Sequence, residues 1–165
     1  MSASFQRCEE SLGPILEDEE VAYGLYSPEV FDPDAGTLTP EAIKIDDLRG
    51  PRGIHVDLCG HSTGVSVCRL ASQNSLDELW LILEEIASRR TTRQIEGYAI
   101  AAVQEIRNID GAGHIRPLDI LDDGRSDYPS HAVIRGAPSL GRGALRGPKN
   151  DLIALFNRRL VRDSE

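Results

Sequence analysis

Ser75-Leu-Asp-Glu-Leu-Trp-Leu-Ile-Leu-Glu-Glu-Ile-Ala-Ser-Arg-Arg90 carries the clearest periodicity in the chain. Leu76, Leu79, Trp80, Leu83, Ile86 and Ala87 recur at helical spacing, so residues 76–90 should form an amphipathic helix that buries one stripe. Ser75 and Glu78 have the spacing of a capping box, in which each side chain bonds the other residue's backbone N–H. A helix with a single apolar stripe needs a surface to cover, and the flanking sequence offers a sheet. Upstream lie two runs rich in β-branched residues, Ile54–Leu58 and Val65–Leu70, separated by Cys59–Gly64 and able to pair as a hairpin.

Further strands follow from the same reasoning. Val21, Tyr23 and Leu25 alternate onto one face of a strand that ends at Ser27-Pro28-Glu29, a cap followed by proline that suits a short helical turn. Asp32-Pro-Asp-Ala-Gly36 is a turn signal, and Thr39-Pro40-Glu41 repeats the cap-and-proline pattern. Downstream, Tyr98–Ile106 fits strand or helix: its alanine-rich composition favours a helix, while Gly97 and the bracketing Asp110-Gly111 turn suit a strand, the element expected. Ile115–Leu121 and His131–Ile134 read as shorter strands flanking Asp122-Asp-Gly124 and Tyr128-Pro129. Pro148 opens a final helix reaching residue 161, with Leu152, Ile153, Leu155, Phe156 and Leu160 on its apolar face. The expected class is α+β in two layers, with an antiparallel or mixed sheet of about five strands covered by two main helices. Residues 1–20, which include Gly13-Pro14 and Glu17-Asp-Glu-Glu20, read as an acidic mobile arm, and residues 21–165 as one domain.

Composition narrows the function classes. The 165 residues carry a formal net charge of -9, which disfavours a duplex nucleic-acid or membrane-surface binder. No apolar run or leader pattern suggests a membrane span or secretion, so a cytoplasmic protein is expected. The cysteines Cys8, Cys59 and Cys68 are odd in number and lack a Cys-x-x-Cys spacing, which points to reduced thiols. The charge is uneven: residues 1–47 hold 2 basic and 12 acidic side chains, whereas residues 135–165 hold 7 basic and 3 acidic. Such polarity suits a protein partner selected by electrostatics, or charge compensation within one molecule or between neighbours.

The chemistry-bearing residues gather in His55-Val-Asp-Leu-Cys-Gly-His61. On a strand, His55, Asp57 and Cys59 share a face, with His61 just beyond the glycine. Imidazole, carboxylate and thiolate can share a metal ion, for which His55, Cys59 and His61 are the candidates, or build a Cys-His nucleophile. Either site needs a ligand or base from a second element, and His131 and His114 are available. The alternative is that Ile54, Val56 and Leu58 face the core, His55 and Asp57 face solvent, and Cys59 fills space. Arg135, Arg142, Arg146 and Lys149 lie in a glycine-rich stretch without acidic residues, where they could hold an anion. The G-x-x-x-x-G-K-S/T and strand-linked G-x-G-x-x-G signatures are absent, and no cofactor is expected.

Ser130-His-Ala-Val-Ile134 resembles the histidine element of papain-like cysteine hydrolases, which implies a catalytic base at His131. That family's nucleophile stands at a helix N-terminus, and Cys8, Cys59 and Cys68 all depart from this placement. His61-Ser-Thr63 with His131-Ala-Val133 is similar to the paired elements of two-histidine phosphoesterases, although the second lacks its hydroxyl residue. The wider layout, from Tyr26-Ser-Pro-Glu-Val-Phe31 to the late His131-Ala-Val-Ile-Arg-Gly136, resembles small bacterial proteins with no assigned activity. It implies a compact stand-alone bacterial domain. The leading functional expectation is a protein-binding or regulatory module, in an antitoxin-like, immunity or defence role. The alternative is a small hydrolase or transferase acting on an anionic substrate through His55, Asp57, Cys59, His61 or His131.

Overall fold

The computed structural model describes residues 12–49, 64–110 and 116–162. In chain order its elements are β1 (Glu20–Ser27), β2 (Phe31–Asp32), β3 (Thr37–Leu38), α1 (Ile45–Arg49), β4 (Val65–Arg69), α2 (Ser75–Ser88), β5 (Gln94–Ala102), α3 (Val103–Arg107), β6 (Leu118–Asp122), β7 (His131–Gly136), α4 (Arg142–Phe156) and β8 (Leu160–Arg162). Six strands pair in the order β6-β7-β4-β1-β5-β8, and every pairing is antiparallel. β2 and β3 form a small separate hairpin. The fold is α+β, with one strand more in the main sheet than the sequence suggests.

The period of two divides the core between the faces of the sheet. Val21, Tyr23 and Leu25 of β1 join Val65 and Val67 of β4, Ile134 of β7 and Ile120 of β6, and meet Leu145, Leu152 and Phe156 of α4. On the opposite face Ala22 and Cys68 meet Leu79 and Leu83 of α2, each buried leucine contributing about 1.5–3 kcal/mol. Each helix seats on a strand glycine. A Cβ at Gly24 of β1 would stand 2.7 Å from Leu83, and one at Gly136 of β7 would stand 2.7 Å from Leu145. The two main helices thus take one face each, and β7 is buried along its whole length.

Several local expectations change once packing is included. α4 begins at Arg142, six residues before Pro148, which sits inside the helix. Burial of Leu145 against β7 holds this glycine-containing first turn in helical form, where propensity alone would not. The strand expected at Tyr98–Ile106 starts earlier, and its last residues turn into α3. Ser75 and Glu78 form no capping box: no side chain caps α2, and both are bonded instead to Ser130. After Ser27 the Val30 N–H donates to Tyr26 O at 3.1 Å, a single turn that leads into β2.

Among the described residues, two ion pairs join the acidic first third to the basic tail, and others tie it to the middle of the chain. Arg142 pairs with Asp46, Arg159 with Glu20 at 2.5 Å, and Arg107 with both Glu17 and Asp119. Residues 12–20 of the expected arm include two carbonyls, Gly13 O and Pro14 O, that accept hydrogen bonds from Arg69 at 2.7 and 3.0 Å. Residues 1–11 lie outside the described residues.

Candidate functional site

The β6-β7 hairpin creates the first half of the site. Its register pairs Asp122 with Ala132, and one step further the Asp123 N–H donates to His131 O at 3.0 Å. Asp123 and His131 therefore stand at the two ends of the connecting loop, both buried. The His131 ring nitrogen Nδ1 lies 3.0 Å from Asp123 Oδ2 and 3.1 Å from Asp123 O. The backbone carbonyl accepts only, and an ionised carboxylate likewise, so in the neutral ring Nδ1 carries the proton and Nε2 offers its lone pair.

β4 supplies what that lone pair meets. Its register against β7 sets Ser66 opposite Val133 and Cys68 opposite His131, which places Ser66 diagonal to His131 on one face. Ser66 Oγ is 3.1 Å from His131 Nε2. Val65 and Val67 on either side of it are buried, whereas Ser66 is exposed. The result is a chain running from an exposed hydroxyl through an imidazole that is 3% exposed to a carboxylate that is 0% exposed. Arg125 Nη2 donates to the same Asp123 oxygen at 3.1 Å.

The start of α2 fixes the residue before His131. Glu78 Oε1 accepts the Ser130 N–H at 2.9 Å, Ser75 Oγ lies 3.0 Å from Ser130 Oγ, and the Arg69 N–H donates to Ser130 O at 2.7 Å. Tyr128 packs against the imidazole with ring centroids 5.1 Å apart. The Cys68 thiol, despite its proximity in the ladder, is buried and donates to Ser75 O at 3.2 Å. Burial pushes its pKa up to about 11, outweighing a hydrogen bond with Tyr128, so it stays a thiol at neutral pH.

The strands next to Ser66 part. β1 pairs with β4 only at Val21–Arg69 and Ala22–Cys68, yet it continues against β5 as far as Ser27. A register shift between Leu25 and Tyr26 bends β1, and Gly64 lies so close to β7 that a Cβ there would stand 2.8 Å from Ile134 O. Between the parted strands lies a cavity of about 290 Å³ whose lining includes Gly24, Tyr26, Ser66, Leu83 and Ile86. The Arg69 N–H points toward β7 and the Leu70 N–H toward Glu20 in the β1 direction. Alternation along the ladder therefore aims the Ser66 N–H at this gap, where the next rung, Gly24 to Ser66, is not formed.

The sequence-based candidates fare differently. His131 is central to the cluster. His55, Asp57, Cys59, His61 and His114 lie outside the described residues, as does the hairpin expected from Ile54–Leu58. Among the described residues no group of three or more His, Cys, Asp and Glu is arranged to hold a metal. Arg142, Arg146 and Lys149 lie on α4, whereas Arg135 is buried in β7 with its side chain on the same face as Val133 and His131, the face away from α4. Arg142 and Lys149 line one cavity together with Lys44 and Asp46, and Arg135 does not join them. Ser66 and Asp123 were not candidates. The signals were a lone hydroxyl between two inward valines and an acid closing a hairpin just before His131. Compared with known proteins, the chain matches no family model, no curated protein and no solved structure.

Proposed function

We propose that the protein is a small serine-type hydrolase of acyl compounds, with Ser66 as nucleophile, His131 as general base and acid, and Asp123 as the group that orients and charge-stabilises the imidazole. The observation that carries this reading is the pair of contacts, 3.1 Å from Ser66 Oγ to His131 Nε2 and 3.0 Å from His131 Nδ1 to Asp123 Oδ2. As Ser66 Oγ attacks a substrate carbonyl carbon, its proton passes to Nε2 and the carbonyl π pair moves onto oxygen. The Ser66 N–H, aimed into the gap, is placed to donate to that oxygen. Collapse breaks the bond to the leaving group, which takes the proton from Nε2. A water then transfers a proton to His131, attacks the acyl carbon and releases the acid, and Ser66 recovers its proton.

This reading takes the hydrolase expectation and moves its nucleophile from cysteine to serine. Hydrolysis of p-nitrophenyl acetate and butyrate by wild type, Ser66→Ala and His131→Ala tests it. Turnover should vanish in both variants, and turnover unchanged in Ser66→Ala would overturn it. No helix among the described residues is long and apolar enough to cross a membrane. One observation favours a protein partner as a second reading: Leu76 and Leu81 on α2 are 42% and 66% exposed beside Trp80 and Tyr98, between the acids Asp77 and Glu84. A partner that binds wild type and not Leu81→Glu would support it.

A further inference from the structure

Resting on the serine-hydrolase reading, we infer that the substrate's acyl chain occupies the gap between β1 and β4, that the preferred substrates are esters or thioesters of short apolar acids, and that Gly24 sets the chain length accepted. The gap is the part of the sheet where the ladder stops after Ala22–Cys68. Its cavity begins at Ser66, takes in Tyr26, Tyr128 and Asp47, and has Leu79, Ile82, Leu83 and Ile86 of α2 as an apolar wall. About 290 Å³ accommodates a group of several carbons, given the roughly 30 Å³ that one water occupies in the liquid. An acyl chain whose carbonyl oxygen meets the Ser66 N–H continues directly between the strands, because that N–H points from β4 toward Gly24.

Gly24 is the residue on which the width of this passage depends. It lines the cavity opposite Ser66, and it faces α2. A Cβ at this position would lie 2.7 Å from Leu83 Cδ2, 3.3 Å from Leu83 Cγ and 3.4 Å from Leu79 Cδ1. The neighbour that must yield is the tip of a flexible side chain that itself lines the cavity, so an added methyl group and the displaced leucine both narrow the space available to the substrate. Removing the leucine tip does the reverse. Gly24 and Leu83 are therefore a coupled pair, and the two substitutions should compensate each other.

The test measures kcat/KM for p-nitrophenyl acetate, butyrate, hexanoate and octanoate with wild type, Gly24→Ala, Leu83→Ala and the double variant, each first checked by covalent labelling of Ser66 with a fluorophosphonate. The expected result is that Gly24→Ala lowers the hexanoate-to-acetate ratio by about tenfold or more, the scale on which a hydrophobic pocket distinguishes chain lengths. Leu83→Ala should move the optimum toward longer chains, and the double variant should return toward the wild-type profile. Labelling of Ser66 with the same chain-length profile in all four proteins would overturn the inference and leave the hydrolase reading standing. Absence of labelling in wild type would overturn both.

Discussion

Arg69 of β4 and His131 of β7 are both buried polar side chains on adjacent strands, and they are completed in opposite ways. The Arg69 guanidinium makes five hydrogen bonds: Nε and Nη2 to the Glu19 carboxylate, Nη1 to Asp122 and to Gly13 O, and Nη2 also to Pro14 O. Its five donors are used within the fold. The His131 chain is anchored equally well at its inner end, but its outer end is a hydroxyl exposed beside a cavity. A closed network of this kind pins the segment before β1 to the sheet. A network that is rigid inside and ends on an exposed nucleophile is equipped for chemistry. The contrast separates a structural cluster from a candidate site where burial and distance alone would not.

The contrast is sharpest if substitutions in the two clusters affect different measurements. Replacing His131 or Ser66 with Ala should reduce ester hydrolysis by about 10³-fold or more, as expected when members of a nucleophile-base pair are removed. Ser66→Ala should leave the unfolding midpoint nearly unchanged, because the side chain is exposed. Arg69→Met should behave in the reverse way, costing about 3–5 kcal/mol in denaturant unfolding by leaving Glu19 and Asp122 without their buried cation. Equal losses of stability in Ser66→Ala and Arg69→Met would erase the distinction.

Asp123→Asn should be milder than loss of the base. The carbonyl of residue 123 still accepts from His131 Nδ1 at 3.1 Å and preserves the ring's tautomer, so only charge stabilisation is lost, a decrease of about 10²-fold. A decrease as large as that of His131→Ala would mean that the carboxylate, rather than the carbonyl, holds the ring.

The Arg69 cluster also predicts acid behaviour. Burial alone would raise the Glu19 pKa, but hydrogen bonds from Arg69 and the Leu16 N–H, with the charges of Arg69 and Arg107, bring it below the ordinary carboxylate range. A lowered pKa in the folded state contributes stability that is present above the ordinary carboxylate value and is lost as pH falls through the lowered one. Denaturation midpoints of wild type should fall over that acid window, and Arg69→Met should lack this component. An identical acid slope in both would remove Glu19 from the account. The smallest expected signal is at Cys68, whose raised pKa of about 11 should keep it unalkylated in the native protein at neutral pH. Rapid alkylation mapped to Cys68 would revive a thiol nucleophile.

Much of the scaffold was legible in the sequence because it rests on local periodicity. Of the stripe expected on α2, Leu79 and Leu83 are buried while Leu76 is exposed; the alternation Val21-Tyr23-Leu25 and the strand opening at His131 occur as expected. The start of α4 was less legible, because Gly143 and Gly147 lower helix propensity and tertiary burial of Leu145 compensates. Of the site, His131 was visible as a residue type in a strand. Ser66 was not, since it lies 65 positions away in sequence and joins the cluster only through the β4-β7 register. Ser75 and Glu78 illustrate the same limit. Their spacing fits a local cap, yet both bond Ser130 across the fold.

The central claim is that Ser66 is activated by its neighbours. Treating the native protein with a fluorophosphonate and mapping the modified peptide by mass spectrometry tests this directly. The account predicts one covalent adduct, on Ser66, lost in His131→Ala. An unmodified Ser66, or equal labelling of Ser66 in His131→Ala, would contradict it.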